Sequence, residues 1–207
     1  MRIDTLIFDF GGVLYFPPQG QGLHRWLKFL GLREDEKIMD MIDDPLNSTL
    51  FWEIMRGTVN ENEFWQYLVK KWHIPKPIFY LFQNKLKAKR NLNNYMLSFI
   101  QKKCSLYKTA ILSNAGNNTR SLMENSFKLD TLVDKIIISA EEGFAKPDKE
   151  LFHIALSKLN SIPKQCIFID DLERNIAAAK EIGIRSVLFS DSQQTIDAIE
   201  KILLEEN

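Results

Sequence analysis

Five polar side chains of this sequence lie in or beside apolar stretches, where burying them costs free energy that other interactions must offset. They occur at or after apolar, strand-like stretches: Asp9 in TLIFD, Ser113 in YKTAILSN, Lys146 after DKIIIS, and Asp170 and Asp171 in QCIFIDD. Removing a charged group from water is costly unless a partner compensates it or its pKa changes. We therefore expect these five side chains to act together.

Their residue types fit the transfer of a phosphoryl group. Paired carboxylates suit Mg²⁺, which takes one or two protein carboxylates together with phosphate oxygens and keeps several waters. Asp9 can serve as a ligand and as a nucleophile, since carboxylates form covalent intermediates with phosphoryl groups. Lys146 and Ser113 would hold the phosphoryl oxygens, because catalysis of this reaction depends mostly on positioning and electrostatics.

The strands and helices that must position these residues can be predicted most clearly in the C-terminal half. Apolar, β-branched runs alternate with helical stretches, and such continuous runs are typical of strands covered on both faces. Strands are predicted over 5–9, 107–114, 134–139, 165–171 and 184–190. Helices are predicted over 117–126, 148–160 and 172–183, and a last helix follows the strand 184–190 and runs to about Leu204. This order predicts a doubly wound α/β fold with an open parallel sheet and right-handed crossovers. Ligands of such sheets bind beyond the carboxyl ends of the strands.

Residues 16–90 have a different character. They show no strand pattern but several short amphipathic segments that are rich in aromatic residues. The segment GTVNENEFWQYLVKKW predicts a helix that is N-capped by Asn60, with Glu63 as the capping-box partner. We therefore predict a core formed by residues 1–15 and 91–207, with a helical cap domain inserted over 16–90.

Composition narrows the class of partner. Lys+Arg and Asp+Glu both number 27, so the formal net charge is zero and no basic surface for nucleic acid or an anionic membrane is expected. The sequence has no signal-peptide pattern and no apolar run long enough to span a bilayer. Cys104 and Cys166 lack CxxC spacing. We expect a cytoplasmic monomer or homodimer that acts on a small molecule.

Four motifs, FDFGGVL, ILSN, GFAKPD and IFIDD, resemble in order and spacing those of the haloacid dehalogenase-like hydrolases. The resemblance covers almost the whole chain. The inserted helical region is similar to the cap of the C1-capped branch, and RGTVNENEFW resembles a cap element of sugar-phosphatase-like members. The resemblance implies that Asp9 attacks phosphorus and that water hydrolyses the resulting aspartyl-phosphate.

The resemblance also implies the ligands of this site. Magnesium would be held by the side chains of Asp9, Asp170 and Asp171 and the backbone carbonyl of Gly11. Of the acidic pair, Asp171 is the expected direct ligand. Asp170 would contact a ligand of the ion or reach the ion through a water molecule. Phosphate would be held by Ser113, Asn114, Lys146 and Gly12, with Asn175 as a support for phosphate or metal.

One position departs from the family pattern. Most phosphatases of the family carry a second Asp two residues after the nucleophile, and this chain has Gly11 there. The general acid–base help of that Asp, commonly worth about 10²–10⁴-fold, is therefore lost or supplied elsewhere. His24, near the first loop, is the better histidine candidate to replace it.

Three functions follow from this pattern. A magnesium-dependent phosphatase would favour leaving groups that need little protonation, such as those of anomeric sugar phosphates and acyl phosphates. A 2-haloacid dehalogenase would also need no acid, although it leaves the Asp170–Asp171 pair unexplained. A non-catalytic descendant would bind a phosphorylated ligand or a protein partner. The sequence favours the phosphatase, and a phosphomutase fits least because it needs the absent acid–base residue.

Overall fold

The computed structural model describes residues 2–16, 44–86 and 91–205 of the chain. Its centre is a parallel five-stranded sheet with strand order β3-β2-β1-β4-β5. The strands are β1 (Thr5–Phe8), β2 (Lys108–Ser113), β3 (Lys135–Ile138), β4 (Cys166–Asp170) and β5 (Arg185–Leu188). Each strand is one or two residues shorter at an end than predicted, and the predicted fold class is confirmed.

The helices of the described residues alternate with these strands. In chain order they are α1 (Thr49–Met55), α2 (Glu61–Lys71), α3 (Lys76–Leu86), α4 (Asn94–Lys103), α5 (Asn118–Ser121), α6 (Ser139–Glu142), α7 (Lys149–Leu159), α8 (Glu173–Glu181) and α9 (Ser192–Glu205). Single 3₁₀ turns occupy Pro45–Asn47, Leu129–Thr131 and Pro163–Gln165. No helix among these is long and apolar enough to cross a membrane.

Both faces of the sheet are covered, which explains the continuous apolar runs of its strands. Leu6 and Phe8 of β1 pack into a core with α4 and α9, whereas Ile7 points to the opposite core, which contains α7 and α8. Cys166 is buried in that second core, as expected of a small apolar side chain. The central position of β1 places its carboxyl end between those of β2 and β4.

We call α1, α2 and α3 the cap helices. Asn60 caps α2 as predicted, since its side-chain oxygen accepts hydrogen bonds from the backbone N–H groups of Asn62 and Glu63. The cap helices have a small core of their own, formed by Ile54, Phe64 and Leu68, against which Trp65 and Trp72 pack. Burial within this cluster accounts for part of the aromatic content of the segment.

The predicted domain boundary at residues 16 and 90 stays a prediction. The segments 17–43 and 87–90, which adjoin it, lie outside the described residues. The same holds for His24, so its proposed role as a replacement acid has no structural description.

The predicted helix over 117–126 differs from the structure in its second half. Only α5 is α-helical, and Leu122–Ser126 continues as a π-helical turn in which the N–H of Phe127 donates to the carbonyl of Leu122. A polar pattern does not distinguish this wider turn from an α-helical one. π-turns occur frequently at functional sites, and this one borders the cleft described below.

Replacing Gly57 with alanine tests how the cap helices meet the core. Gly57 has φ +72°, and an added Cβ would lie 2.1 Å from the carbonyl oxygen of Ala140. Positive φ costs alanine about 1–2 kcal/mol, and overpacking adds about 1–3 kcal/mol. Gly143→Ala is the matched control, because Gly143 has φ +80° but open space around its Cβ position. Urea unfolding should show a larger loss in the free energy of unfolding for Gly57→Ala than for Gly143→Ala. Equal losses would show that Gly57 does not contact Ala140 as described.

Candidate active site

The predicted site residues meet at the carboxyl edge of the sheet. Asp9 follows β1, Ser113 ends β2, and Asp170 ends β4. Lys146 lies in the loop between α6 and α7, which returns to the same edge. These side chains therefore lie at the edge where parallel sheets present their ligand sites.

Lys146 is the centre of the cluster. Its Nζ lies 2.8 Å from Oδ1 of Asp9 and 2.6 Å from Oδ2 of Asp170. The Lys146 side chain is 1% exposed, and those of the two acids are 9% and 0% exposed. Burying three charges costs several kcal/mol for each ion unless the pairing is close and further hydrogen bonds satisfy them. The short contacts of one cation to two carboxylates meet that requirement.

Backbone and amide groups fix the two acids. The N–H of Phe10 donates to Oδ1 of Asp9 at 2.7 Å, so the Phe10 and Lys146 contacts both use that oxygen. Asp170 accepts from the N–H of Leu172 at 2.8 Å and from Nδ2 of Asn175 at 3.0 and 3.1 Å. Asn175 thus lies where the sequence placed a support, and the group it contacts is Asp170.

Asn114 contacts the backbone of Lys146 with both ends of its amide. Its Nδ2 donates to the carbonyl of Lys146 at 2.7 Å, and its Oδ1 accepts from the N–H of Lys146 at 2.7 Å. The amide thus holds the lysine in place, and the binding of phosphate by Asn114 stays a prediction. The loop is also held from the side of the cap helices, because Nε and Nη2 of Arg56 donate to Oδ2 and Oδ1 of Asp148 in a bidentate ion pair.

Burial and the neighbouring charges shift the pKa values of the acids and the lysine in this cluster. The pKa of Asp9 is raised to about 7. Burial is the largest cause of this rise, Lys146 opposes it, and the nearby Asp170 carboxylate adds to it. Burial acts to lower the pKa of Lys146, but its two acidic partners raise it above the ordinary value. Burial and the charge of Asp170 raise the pKa of Asp171. A further cation would therefore be favoured here.

The acidic residues form a group that could hold such a cation. Asp9, Asp170 and Asp171 each offer one carboxylate oxygen, and these oxygens lie within 4.8 Å of one another. An all-oxygen set of this kind suits a hard divalent ion. Gly12 gives Asp171 its place, because a Cβ on Gly12, at φ +84°, would lie 2.3 Å from Oδ2 of Asp171. The N–H of Gly12 donates to the carbonyl of Tyr15, and the binding of phosphate at Gly12 stays a prediction.

Gly11 lies at the open side of the cluster. It is exposed, and a Cβ built on it would meet no atom within 4 Å. The glycine at this position is therefore not required by packing, and a larger side chain would fit. Its carbonyl stays the predicted metal ligand.

A cleft of about 460 Å³ adjoins Gly11, Ser113 and Asn114 and extends between the core and the cap helices. Aromatic rings and small polar side chains make up most of its described lining, including Phe10, Tyr15, Trp65, Phe79, Asn62, Thr119, Ser121 and Ser126. Glu61 of α2 also lines it. No role for Glu61 was predictable from the sequence, since a residue of the cap helices reaches the cleft only through tertiary packing.

The sequence model of one protein family, described as haloacid dehalogenase-like hydrolase, matches residues 49–189, which is more than half of the chain. This chain belongs to that family. The matched range includes Ser113, Lys146 and both acids of the closing pair, whereas Asp9 precedes it. The resemblance noted from the four motifs is thereby confirmed at the level of the family.

Two curated relatives illustrate the range of similarity. A D-ribitol-5-phosphate phosphatase of Bacteroides thetaiotaomicron is 24% identical over 196 residues, which cover 89% of this chain and 90% of the relative. A ribulose-1,5-bisphosphate 5-phosphatase of Halopiger xanaduensis is 33% identical over 92 residues, which cover 44% of this chain and 38% of the relative. Three other matched relatives are much longer, and the chain spans only 28%, 9% and 22% of their lengths.

Solved structures share the fold over nearly the whole chain. A protein of Porphyromonas gingivalis, described as a predicted haloacid dehalogenase-like family hydrolase, is 23% identical, with a TM-score of 0.78 and 98% of both chains covered. A family enzyme of Bacteroides thetaiotaomicron, in complex with magnesium and inorganic phosphate, is 24% identical, with a TM-score of 0.70 over 91% of this chain and 94% of the other. At this level of identity, the likeness establishes the architecture of the family.

Replacing Lys146 with methionine should strongly destabilise the protein. Removing one partner of a buried ion pair costs about 3–5 kcal/mol, because a buried charge is left without compensation. The measurement is urea unfolding at neutral pH in EDTA, so that no divalent cation replaces the ammonium group.

Lys149→Met is the matched control for this variant. Lys149 pairs with Glu181 at 2.7 Å, but both side chains are more than half exposed, so its loss should leave the free energy of unfolding nearly unchanged. Equal losses in the two variants would show that Lys146 is not held between the two acids.

Proposed function

We propose that this chain is a magnesium-dependent phosphatase that hydrolyses a small phosphate ester through an aspartyl-phosphate on Asp9. The observation that carries the proposal is the buried Lys146, which holds Asp9 and Asp170 beside Asp171 at the edge of a cleft. This arrangement combines a nucleophile, a cation site and a positive charge for the phosphoryl oxygens. The phosphatases among the relatives support the same reaction.

The donor set supports magnesium as the cofactor. Three carboxylates and the carbonyl of Gly11 are the hard oxygen ligands that this ion prefers. A related structure in complex with magnesium and phosphate supports the same choice. When bound, the ion would neutralise charge on the phosphoryl group and orient it toward Asp9.

The residues of this chain would carry out the remaining steps. With Oδ1 of Asp9 held by Phe10 and Lys146, Oδ2 is the oxygen that attacks phosphorus. The bond from phosphorus to the leaving oxygen breaks, and that oxygen takes its proton from solvent. Water then attacks phosphorus, which releases phosphate and restores the Asp9 carboxylate. Lys146 and Ser113 hold the phosphoryl oxygens in both steps.

Gly11 directs the choice of leaving group. Without an acid at this position, the first step is fastest when the leaving oxygen is weakly basic. Aryl phosphates, acyl phosphates and anomeric sugar phosphates meet this condition better than ordinary alkyl phosphates. The second step lacks a base at the same position, so the aspartyl-phosphate should accumulate.

The cleft supports a small phosphorylated sugar as the substrate class. Its volume of about 460 Å³ suits a small metabolite, and its aromatic rings can pack against the apolar face of a sugar. The hydroxyl and amide side chains around them can exchange hydrogen bonds with sugar hydroxyls. Closure by the cap helices would keep bulk water away from the phosphoryl group.

The alternative functions are less well supported. Displacement of halide needs no divalent cation, so a dehalogenase leaves the group of three carboxylates without a purpose. A binding protein needs no buried nucleophile paired with a lysine, an arrangement that is costly to desolvate.

Asp9→Asn should abolish turnover. The substitution keeps the size of the side chain but removes the nucleophile, and we expect at least about a 10³-fold loss of kcat on an aryl phosphate with magnesium. Phosphate release is the measurement, and Asp130→Asn, which changes an exposed acid, is the control. Wild-type turnover should stop in EDTA. Metal-independent release of chloride from 2-chloropropionate would instead identify a dehalogenase.

Gly11→Asp should restore general acid catalysis, since an added side chain meets no atom within 4 Å of its Cβ. We expect kcat/KM for an alkyl phosphate to rise by about 10²–10⁴-fold and that for acetyl phosphate to change little. Gly11→Asn, which has the same size but no acid, should show no such rise. An equal gain for both leaving groups would contradict this explanation of the glycine.

A further inference from the structure

We propose that Glu61 determines the specificity of the cleft: it admits phosphate esters whose organic part is uncharged and hydroxylated, and it excludes those that carry a second anionic group. The inference rests on the proposed phosphatase function and names the substrate class within it. It also assigns a role to a residue of the cap helices, which lies more than 50 positions along the chain from Ser113 and the predicted site residues after it.

Glu61 reaches from the cap to the core. It is the first residue of α2, but Asn60 already caps that helix, so the Glu61 carboxylate is free for other contacts. Its Oε2 accepts a hydrogen bond from the N–H of Asn118 at 3.2 Å, in the segment that follows β2. Its Oε1 accepts from Nε1 of Trp65 at 3.2 Å. Two N–H donors therefore hold the carboxylate in place at the wall of the cleft.

The core leaves room for this carboxylate at Gly116. A Cβ on Gly116 would lie 2.3 Å from Oε2 of Glu61 and 2.8 Å from its Cδ. Any other residue at 116 would force the carboxylate to move. Glycine here is thus explained by the approach of a cap side chain.

The charge of the cleft depends on Glu61. Among the described residues that line it, Glu61 is the single charged side chain, and none is a lysine, arginine or histidine. The rest are aromatic, aliphatic, hydroxyl or amide side chains and one glycine. A second phosphate or carboxylate in this cleft would meet a fixed negative charge and, in the described lining, no compensating cation.

The same carboxylate favours hydroxyl groups. A carboxylate has about four acceptor positions, and two of those of Glu61 are used by Asn118 and Trp65. The remaining positions can accept hydrogen bonds from the hydroxyls of a polyol or a sugar. Specificity thus arises from attraction for one group and repulsion of another. The names of the relatives do not show whether a second phosphate is admitted, because one is named for a monophosphate and another for a bisphosphate.

The test measures competitive inhibition of 4-nitrophenyl phosphate hydrolysis by fructose 6-phosphate and by fructose 1,6-bisphosphate. The wild-type protein should bind the monophosphate at least about tenfold more tightly. Glu61→Gln should change the ratio of the two inhibition constants by about tenfold or more in favour of the bisphosphate. Glu63→Gln removes the same charge from an exposed position on the same helix and should leave the ratio unchanged.

Gly116→Ala tests the same inference without changing Glu61, because the added methyl group would displace the Glu61 carboxylate. Displacing the carboxylate should shift the ratio in the same direction as Glu61→Gln, and adding it to Glu61→Gln should shift the ratio no further. An unchanged ratio in both single variants, or tighter binding of the bisphosphate by the wild-type protein, would overturn the inference while leaving the phosphatase intact. No hydrolysis of 4-nitrophenyl phosphate by the wild-type protein would overturn both.

Discussion

The buried ion pairs of Lys146 constrain the rest of the structure. One ammonium group lies within 2.8 Å of carboxylates from two different strand ends, and all three side chains are nearly inaccessible to water. This arrangement exists only if β1 and β4 are neighbours and the loop after α6 returns to their carboxyl edge, as the sheet order provides. Asn114 and Asn175 then hold the backbone of Lys146 and the carboxylate of Asp170 by their amides.

The cap helices are connected to this cluster through polar contacts. Arg56 pairs with Asp148, two residues beyond Lys146, and Glu61 binds the segment that follows Ser113 and Asn114. Both loops that would hold the phosphoryl group are therefore in contact with the cap. Movement of the cap on substrate binding would change the surroundings of the same loops, which links the closure of the cleft to the chemistry.

Much of this site could be predicted from the sequence, because strand ends are local features and their convergence follows from a general rule of parallel sheets. This rule is enough to predict that the same edge holds Asp9, Ser113, Lys146, Asp170 and Asp171. The contacts of Asn114 and Gly12 could not be predicted, since they depend on which backbone groups are already bonded. Glu61 lies in RGTVNENEFW, which resembles a cap element, but nothing local assigns its carboxylate to the cleft. The approach of that carboxylate explains Gly116, a glycine whose reason lies in another part of the chain.

The most direct test of the account is to find the covalent intermediate. The wild-type protein is mixed with 4-nitrophenyl phosphate and magnesium, quenched in acid during turnover, and mapped by peptide mass spectrometry. Since Gly11 supplies no base for the hydrolysis of the intermediate, we expect a phosphoryl group to accumulate on the peptide that contains Asp9, and on Asp9 itself. A phosphoryl group on another residue such as Ser113, or turnover with no phosphorylated peptide, would contradict the account.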